Sequence, residues 1–413
     1  FVMADPQLVD QDSPAQVPRN AAHVLEGIPL PAYTPQGELA IHANDALVRT
    51  ANRFQADRPF DVVIVAGDHV ENSQRNELAW LHRILNGGPV SSDSGEKDDV
   101  VPGPANDAYD SFVAEGFLPG TPWISTIGNH DVNVNGNFPP GLVAALNATA
   151  EIRSKLDALS GPLGLAFPLD PLDDQSASLF PHESRGAFRV QPEGFNPAMF
   201  PSNEELDALV PGPTPADPKR ATLGPCGFIE VSRKTGGAPT GHGFTAKNVS
   251  DCTGFYVYEP VPGVALRIIS LDLGPVEGGD SGILAPPYSD GAPDLTRVGN
   301  PRYDQVAFLD AELARAAADG AAVIIISHQP SDGVVTRSLL QDFKALLASE
   351  PALQGLIDLW SPVPPVAMDS AALRAKLAGS PNVIAHIAGH NHRNRVRAIC
   401  ADGTSRDGAG ERG

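Results

Sequence analysis

The sequence predicts an α/β fold, and three observations carry that reading. Short runs rich in Val and Ile recur along the chain, helical patterns lie between several of them, and the apolar runs end in polar residues. Six runs stand out: "FVMAD" (1–5), "DVVIVAGDH" (61–69), "PWISTIGNHD" (122–131), "VALRIISLDL" (264–273), "AAVIIISHQP" (321–330) and "NVIAHIAGHNH" (382–392). Each is too short for a typical helix and apolar on consecutive residues, as strands covered on both faces are.

The helices between them follow from spacing and caps. "GELAIHANDALVRTANRF" (37–54) repeats apolar residues every three to four positions. "SQRNELAWLHRILNGG" (73–88) opens on a Ser cap and stops at glycines. "DQVAFLDAELARAAADG" (304–320) is the most regular pattern. Strands alternating with helices imply layered α/β architecture. We expect one domain over 1–400. Its insertions fall at about 86–121, a Gly-, Pro-, Asp- and Ser-rich surface loop, and at 134–256, a proline-rich decoration of one face with a short helix at 149–160. The tail 401–413 has nothing to bury and is expected to be disordered. The chain opens inside a strand, so further residues are expected before Phe1.

Composition narrows the partners. The chain has 413 residues and a net charge of -21, which argues against a polyanion such as nucleic acid. A small phosphate ester stays compatible, because bound cations reverse a local field. No run of about 18 apolar residues is present, so no membrane span is expected. The three cysteines lack a CxxC spacing, which argues against a thiolate zinc site. Cys226 and Cys252 either close a loop disulfide in an exported protein or remain thiols. The sequence does not fix the oligomeric state.

The strand ends carry the chemistry: Asp5, then Gly67-Asp68, then Gly128-Asn129-His130, then His328, then His390 and His392. Ligands in layered α/β sheets bind at the carboxyl ends of strands. In "GHNH", alternate residues of an extended segment point the same way, so His390 and His392 aim at one point behind Gly389. His69 should then point to the opposite face from Asp68, either behind the site residues or into the core. Glu71 and Asn72 follow the strand, and Asn72 either touches substrate or turns the chain into the helix. Arg393 either clamps a phosphate or pairs with a carboxylate. His242 in "GHGFT" either lines the site or packs in the insertion. His23, His42, His82, His182 and His386 lack a motif context.

The ordered set "ADPQ", "GDHVEN", "GNHD", "SHQP" and "GHNHRN" resembles the calcineurin-like metallophosphoesterases, across residues 3 to about 394. Finer details resemble an exported, actinobacterial-type branch with long inserts. The resemblance implies a four-layer α/β/β/α sandwich with two metal ions at one edge, divalent or trivalent, with Mn, Fe or Zn suited to carboxylate, amide and imidazole donors. By motif, Asp5 and His392 would bind the first metal, and Asn129, His328 and His390 the second. Asp68 would bridge both, offsetting the repulsion of cations about 3.5–4 Å apart.

The implied reaction is hydrolysis of a phosphomonoester or phosphodiester by a metal-bridging hydroxide. His130 would stand beside the leaving group, and Asp131 would fix its orientation. The first motif departs from the family, with Gln7 in place of the usual histidine. Gln7 either ligates weakly through its amide oxygen or hydrogen-bonds Asp5 or bound water. Two rivals are carried: a nuclease of the same family, and a degenerate, metal-stabilised binding module.

Overall fold

The computed structural model describes residues 1–10, 39–94, 110–134, 217–274, 295–334, 368–392 and 394–400, with shorter pieces at 13, 37, 108, 136, 282, 284, 288–289, 292–293 and 405–407. Its elements are β1 (Val2–Met3), α1 (Ala40–Gln55), β2 (Val63–Val65), α2 (Arg75–Asn86), β3 (Gly88–Val90), β4 (Phe112–Ala114), β5 (Trp123–Ser125), α3 (Asn129–Val132), α4 (Gly224–Lys234), α5 (Ala246–Asp251), β6 (Tyr256–Tyr258), β7 (Leu266–Ser270), β8 (Tyr288–Ser289), β9 (Ala292–Pro293), α6 (Gln305–Asp319), β10 (Ala322–Ile326), α7 (Ser370–Ala378), β11 (Val383–Ile387), β12 (Arg397–Ile399) and β13 (Ser405–Asp407). All six apolar runs contain a strand.

The chain is mixed α/β, with parallel and antiparallel sheets. One sheet runs β1-β2-β5, all parallel. The other runs β11-β10-β7-β6, parallel except for β6, which opposes β7. Side chains alternate faces along a strand. Val63 and Val65 of β2 therefore pack with Ile41, Val48 and Leu81 of α1 and α2. Ile64, between them, packs with Ile268 and Ile326 of the other sheet. Likewise Val323 and Ile325 of β10 pack with Leu309, Leu313 and Leu373 of α6 and α7. Each such side chain, fully buried, contributes on the order of 1.5–3 kcal/mol.

Several expectations change. β11 is not covered on both faces. It is an end strand of its sheet among the described residues, and Ile384 on one of its faces is 65% exposed. Ser73 does not cap α2. Its hydroxyl donates instead to the Asp131 carbonyl at 2.8 Å, and Gln74 takes the cap position, its N–H donating to Glu77 Oε2. The loop 86–121 contains paired strands, β3 antiparallel to β4. The tail is not wholly irregular, because β13 pairs with β12. The helix at 149–160 lies outside the described residues.

The described part of the second insertion is structural rather than decorative. Residues 238–242 line the edge of β5, accepting from Trp123 N at 2.7 Å and Ser125 N at 3.1 Å. That satisfies backbone groups an edge strand leaves open. Cys226 and Cys252 form a disulfide joining the first turn of α4 to the end of α5. Arg220 is fully buried against Asp10. His242 packs rather than lining the site: its ring stacks on Trp123, and its two nitrogens contact the carbonyls of Trp123 and Gly236.

Buried His242 sets a pH dependence. Burial pushes its pKa down to about 4. Above pH 6.5 the folded and unfolded chains are both neutral there. As pH falls from 6.5 toward 4, only the unfolded chain takes the proton, so folding loses about 1.4 kcal/mol per unit. Glu77, raised to about 8 by burial, acts in the opposite direction, so the test must be a difference. Between pH 7 and pH 5 the wild type should lose about 2 kcal/mol of stability relative to His242→Asn, read from urea midpoints. Parallel pH profiles for the two proteins would refute the effect.

Candidate metal centre

The carboxyl ends of β1, β2, β5, β10 and β11 deliver the polar residues to one place, since these strands run parallel within their two packed sheets. The turns after them are tight. Asp5, Gln7, Asp68, His390 and His392 all take positive φ, at 52°, 40°, 50°, 70° and 49°. L-residues rarely adopt that region, and such strain gathers where a turn must aim its side chain.

Asp68 is buried at the centre. Its Oδ2 lies 3.0 Å from His328 Nε2, and its Oδ1 accepts from His130 N at 2.9 Å. Gly128 permits this approach, because a Cβ there would stand 2.1 Å from Asp68 Oδ1. Burial would raise the Asp68 pKa, but His328 and His130 more than offset it and hold the carboxyl below the usual range.

The neighbouring side chains are oriented from behind. His328 Nδ1 meets the Ala66 carbonyl at 2.9 Å, which turns Nε2 toward Asp68. Asn129 Nδ2 donates to the Gly136 carbonyl at 3.2 Å, which leaves Oδ1 facing His390 Nδ1, also at 3.2 Å. His390 Nδ1 is 3.3 Å from His328 Nε2. Two ring nitrogens and an amide oxygen thus face one another beside a carboxylate. Donor atoms of Asp68, His328 and His390 all lie within 4.8 Å of one another. Lone pairs converging in this way need a proton or a cation among them, and carboxylate with imidazole suits a borderline metal. The residues fit a metal.

Asp5 and His392 make a second, more open group. Asp5 Oδ1 accepts from His390 N at 2.9 Å and lies 3.5 Å from His392 Nε2. The hydrogen bond and charge of Asp5 raise the His392 pKa. Gly389 serves Asp5 rather than the histidines: a Cβ there would meet Ala66 O and Asp5 Oδ2, each at 2.8 Å.

His130 stands at the rim, its Nε2 3.9 Å from Asp68 Oδ2. Its Nδ1 contacts the Glu71 carbonyl at 3.0 Å and Glu71 Oε2 at 3.4 Å. Burial would lower the His130 pKa, but Glu71 and Asp68 override it and lift it to about 10. The same contest, with Asp68 as the main carboxylate, lifts His328 to about 9.

The structure therefore brings together Asp5, Asp68, Asn129, His130, His328, His390 and His392. It does not bring Asp131 to His130. The Asp131 carboxylate turns inward and receives His69 and Gly128. Asn72 is buried, donating to Glu77 at 2.9 and 3.3 Å, which fastens it in the turn that enters α2. Gln7 is tied in through its backbone, its N–H donating to the Asp68 carbonyl at 2.9 Å. Arg393 lies outside the described residues. Sequence reasoning gave no role to Glu71 or Gln329, whose Nε2 approaches Asn129 Oδ1 at 3.4 Å. Their proximity to Asp68 and His328 in the chain was the only available signal.

No protein-family model matches this chain, and no curated protein matches it at a significant level. No helix among the described residues is long and apolar enough to cross a membrane.

Proposed function

We propose that this chain is a metal-dependent phosphoric ester hydrolase of the calcineurin-like metallophosphoesterase type. The observation that carries the reading is the Asp68, His328 and His390 cluster, with Asn129 beside it, at converging strand ends. A four-layer α/β/β/α arrangement is supported by three separate cores, one on the outer face of each sheet and one between them. Asn129, His328 and His390 would hold one ion, Asp5 and His392 the other, and Asp68 both.

Such ions, when bound, supply a Lewis acid and lower the pKa of water. The chain does the rest. Asp68 would contribute the carboxylate that offsets the charge of the ions. His130, fixed through Nδ1 by Glu71, presents Nε2 at the rim, where it can give a proton to a departing alkoxide. The net charge of -21 favours a small, soluble ester over a nucleic acid. The disulfide supports an exported protein, since such bonds persist in oxidising compartments.

The test is direct. The protein is stripped of metal, then given Mn²⁺, Zn²⁺ or Fe²⁺ and assayed on p-nitrophenyl phosphate and bis-p-nitrophenyl phosphate. Metal-dependent turnover of either is expected, and preference between them separates monoesterase from diesterase. Metal uptake without turnover of either ester would overturn the hydrolase reading in favour of a binding module.

A further inference from the structure

We propose that Asp131 and His69 form a buried positioning pair that sets the distance between Asp68 and Asn129, and with it the fit of the metal. The inference rests on the metal-centre reading above. Asp131 and His69 have side chains with no exposure at all. Asp131 Oδ1 accepts from His69 N at 2.8 Å. Its Oδ2 meets His69 Nδ1 at 2.9 Å and accepts from Gly128 N at 2.8 Å. His69 follows Asp68 in the chain and Gly128 precedes Asn129, so one carboxylate clamps the two turns that bear the buried oxygen donors. The His130 N–H to Asp68 Oδ1 bond, at 2.9 Å, closes the clamp from the other side.

The chemistry of the pair is specific. Three N–H groups converge on two oxygens, so the clamp needs a group that accepts on both atoms and donates on neither. An amide at 131 would turn an NH₂ toward a donor. His69 must carry its proton on Nδ1 to serve the carboxylate, and its Nε2 is buried with no hydrogen-bond partner among the described residues. Phe228 of α4 packs edge-on against the ring, with centroids 5.0 Å apart. Neither residue faces His130. Its orientation belongs to Glu71.

The test measures Mn²⁺ affinity by calorimetry on wild type, Asp131→Asn, His69→Leu and His69→Asn, at a temperature where circular dichroism shows each folded. Asn at 69 keeps a donor near the Nδ1 position, and Leu removes it. Asp131→Asn and His69→Leu should weaken Mn²⁺ binding by about 10–100-fold, the usual loss when a group behind a ligand is removed. His69→Asn should stay within about threefold of wild type, a rescue that loss of packing alone would not produce. If Asp131→Asn fails to fold, the two His69 variants still decide. His69→Leu binding as tightly as wild type, or His69→Asn as weakly as His69→Leu, overturns the pair alone. A wild type that takes up no metal overturns the metal-centre reading and the pair with it.

Discussion

Asp68→Asn is expected to remove both metal retention and turnover, with kcat/KM down by about 10³-fold or more, equivalent to about 4 kcal/mol. The substitution keeps size and changes charge. Asp68 is the buried carboxylate that His328 and His130 both face, at 3.0 and 3.9 Å. Asparagine keeps one oxygen but turns an NH₂ either toward His328 or toward His130 N, where Asp68 now accepts at 2.9 Å. No anion then remains between the two donor groups, so ions held there would repel without offset. Stability should fall as well, because His328 and His130 hold Asp68 ionised, and removing one partner of a buried ion pair leaves the others uncompensated. Metal content by mass spectrometry, turnover with added Mn²⁺ and thermal melting together check it. A variant with full metal content and near wild-type turnover would remove Asp68 from the centre.

The α/β class and the polar residues that converge at the strand ends were legible in the sequence for one physical reason. A strand buried on both faces leaves an apolar run, and a functional group at its carboxyl end interrupts that run at a fixed place. "VVIVAGD" and "AAVIIISH" show both signals side by side. β6 gave no such run, because "YVY" is half-buried at a sheet edge and follows the insertion.

Second-rank roles were illegible because adjacency does not give direction. Asp131 follows His130, yet both lie on the helical turn α3, where successive side chains diverge by about 100°. Asp131 therefore turns to His69 while Glu71, remote by 59 positions, reaches His130. Glu77 collects Asp10 N, Asn72 N and Gln74 Nε2 at 3.0, 2.9 and 2.9 Å, a convergence that no spacing rule displays. The second insertion misled for a related reason. Its prolines read as surface, while one of its arginines, Arg220, is among the most buried side chains of the described residues.

That arginine carries the second large expectation. Arg220→Met should lower stability by about 3–5 kcal/mol, the cost of breaking a buried ion pair from one side. Arg220 Nε lies 3.1 Å from Asp10 Oδ2, and neither side chain has any exposure. Arg220 Nη2 also donates to Ser94 Oγ at 2.7 Å, which in turn donates to Asp10 Oδ1 at 2.6 Å. Asp10 keeps Asn76 Nδ2, at 2.6 Å, but no opposite charge among these partners. Burial already raises the Asp10 pKa against the pull of Arg220, so without Arg220 the carboxyl must protonate to stay inside.

The double variant Asp10→Asn with Arg220→Met should therefore recover much of the loss, since a buried pair replaced whole is often tolerated. The damage should also spread to the insertion. Residues 221 and 223 are stitched to the entry of α2 by Arg75 N to Ala221 O and Leu223 N to Ser73 O, at 3.0 and 2.7 Å. Ser73 in turn holds the Asp131 carbonyl. Hydrogen exchange at Arg75 and Leu223 should rise in Arg220→Met before the global melt, and thermal unfolding should begin roughly 3–6 °C lower. A shift under about 1 kcal/mol, or equal losses in the single and double variants, would mean that packing around 220, and not the ion pair, fastens this segment to the site.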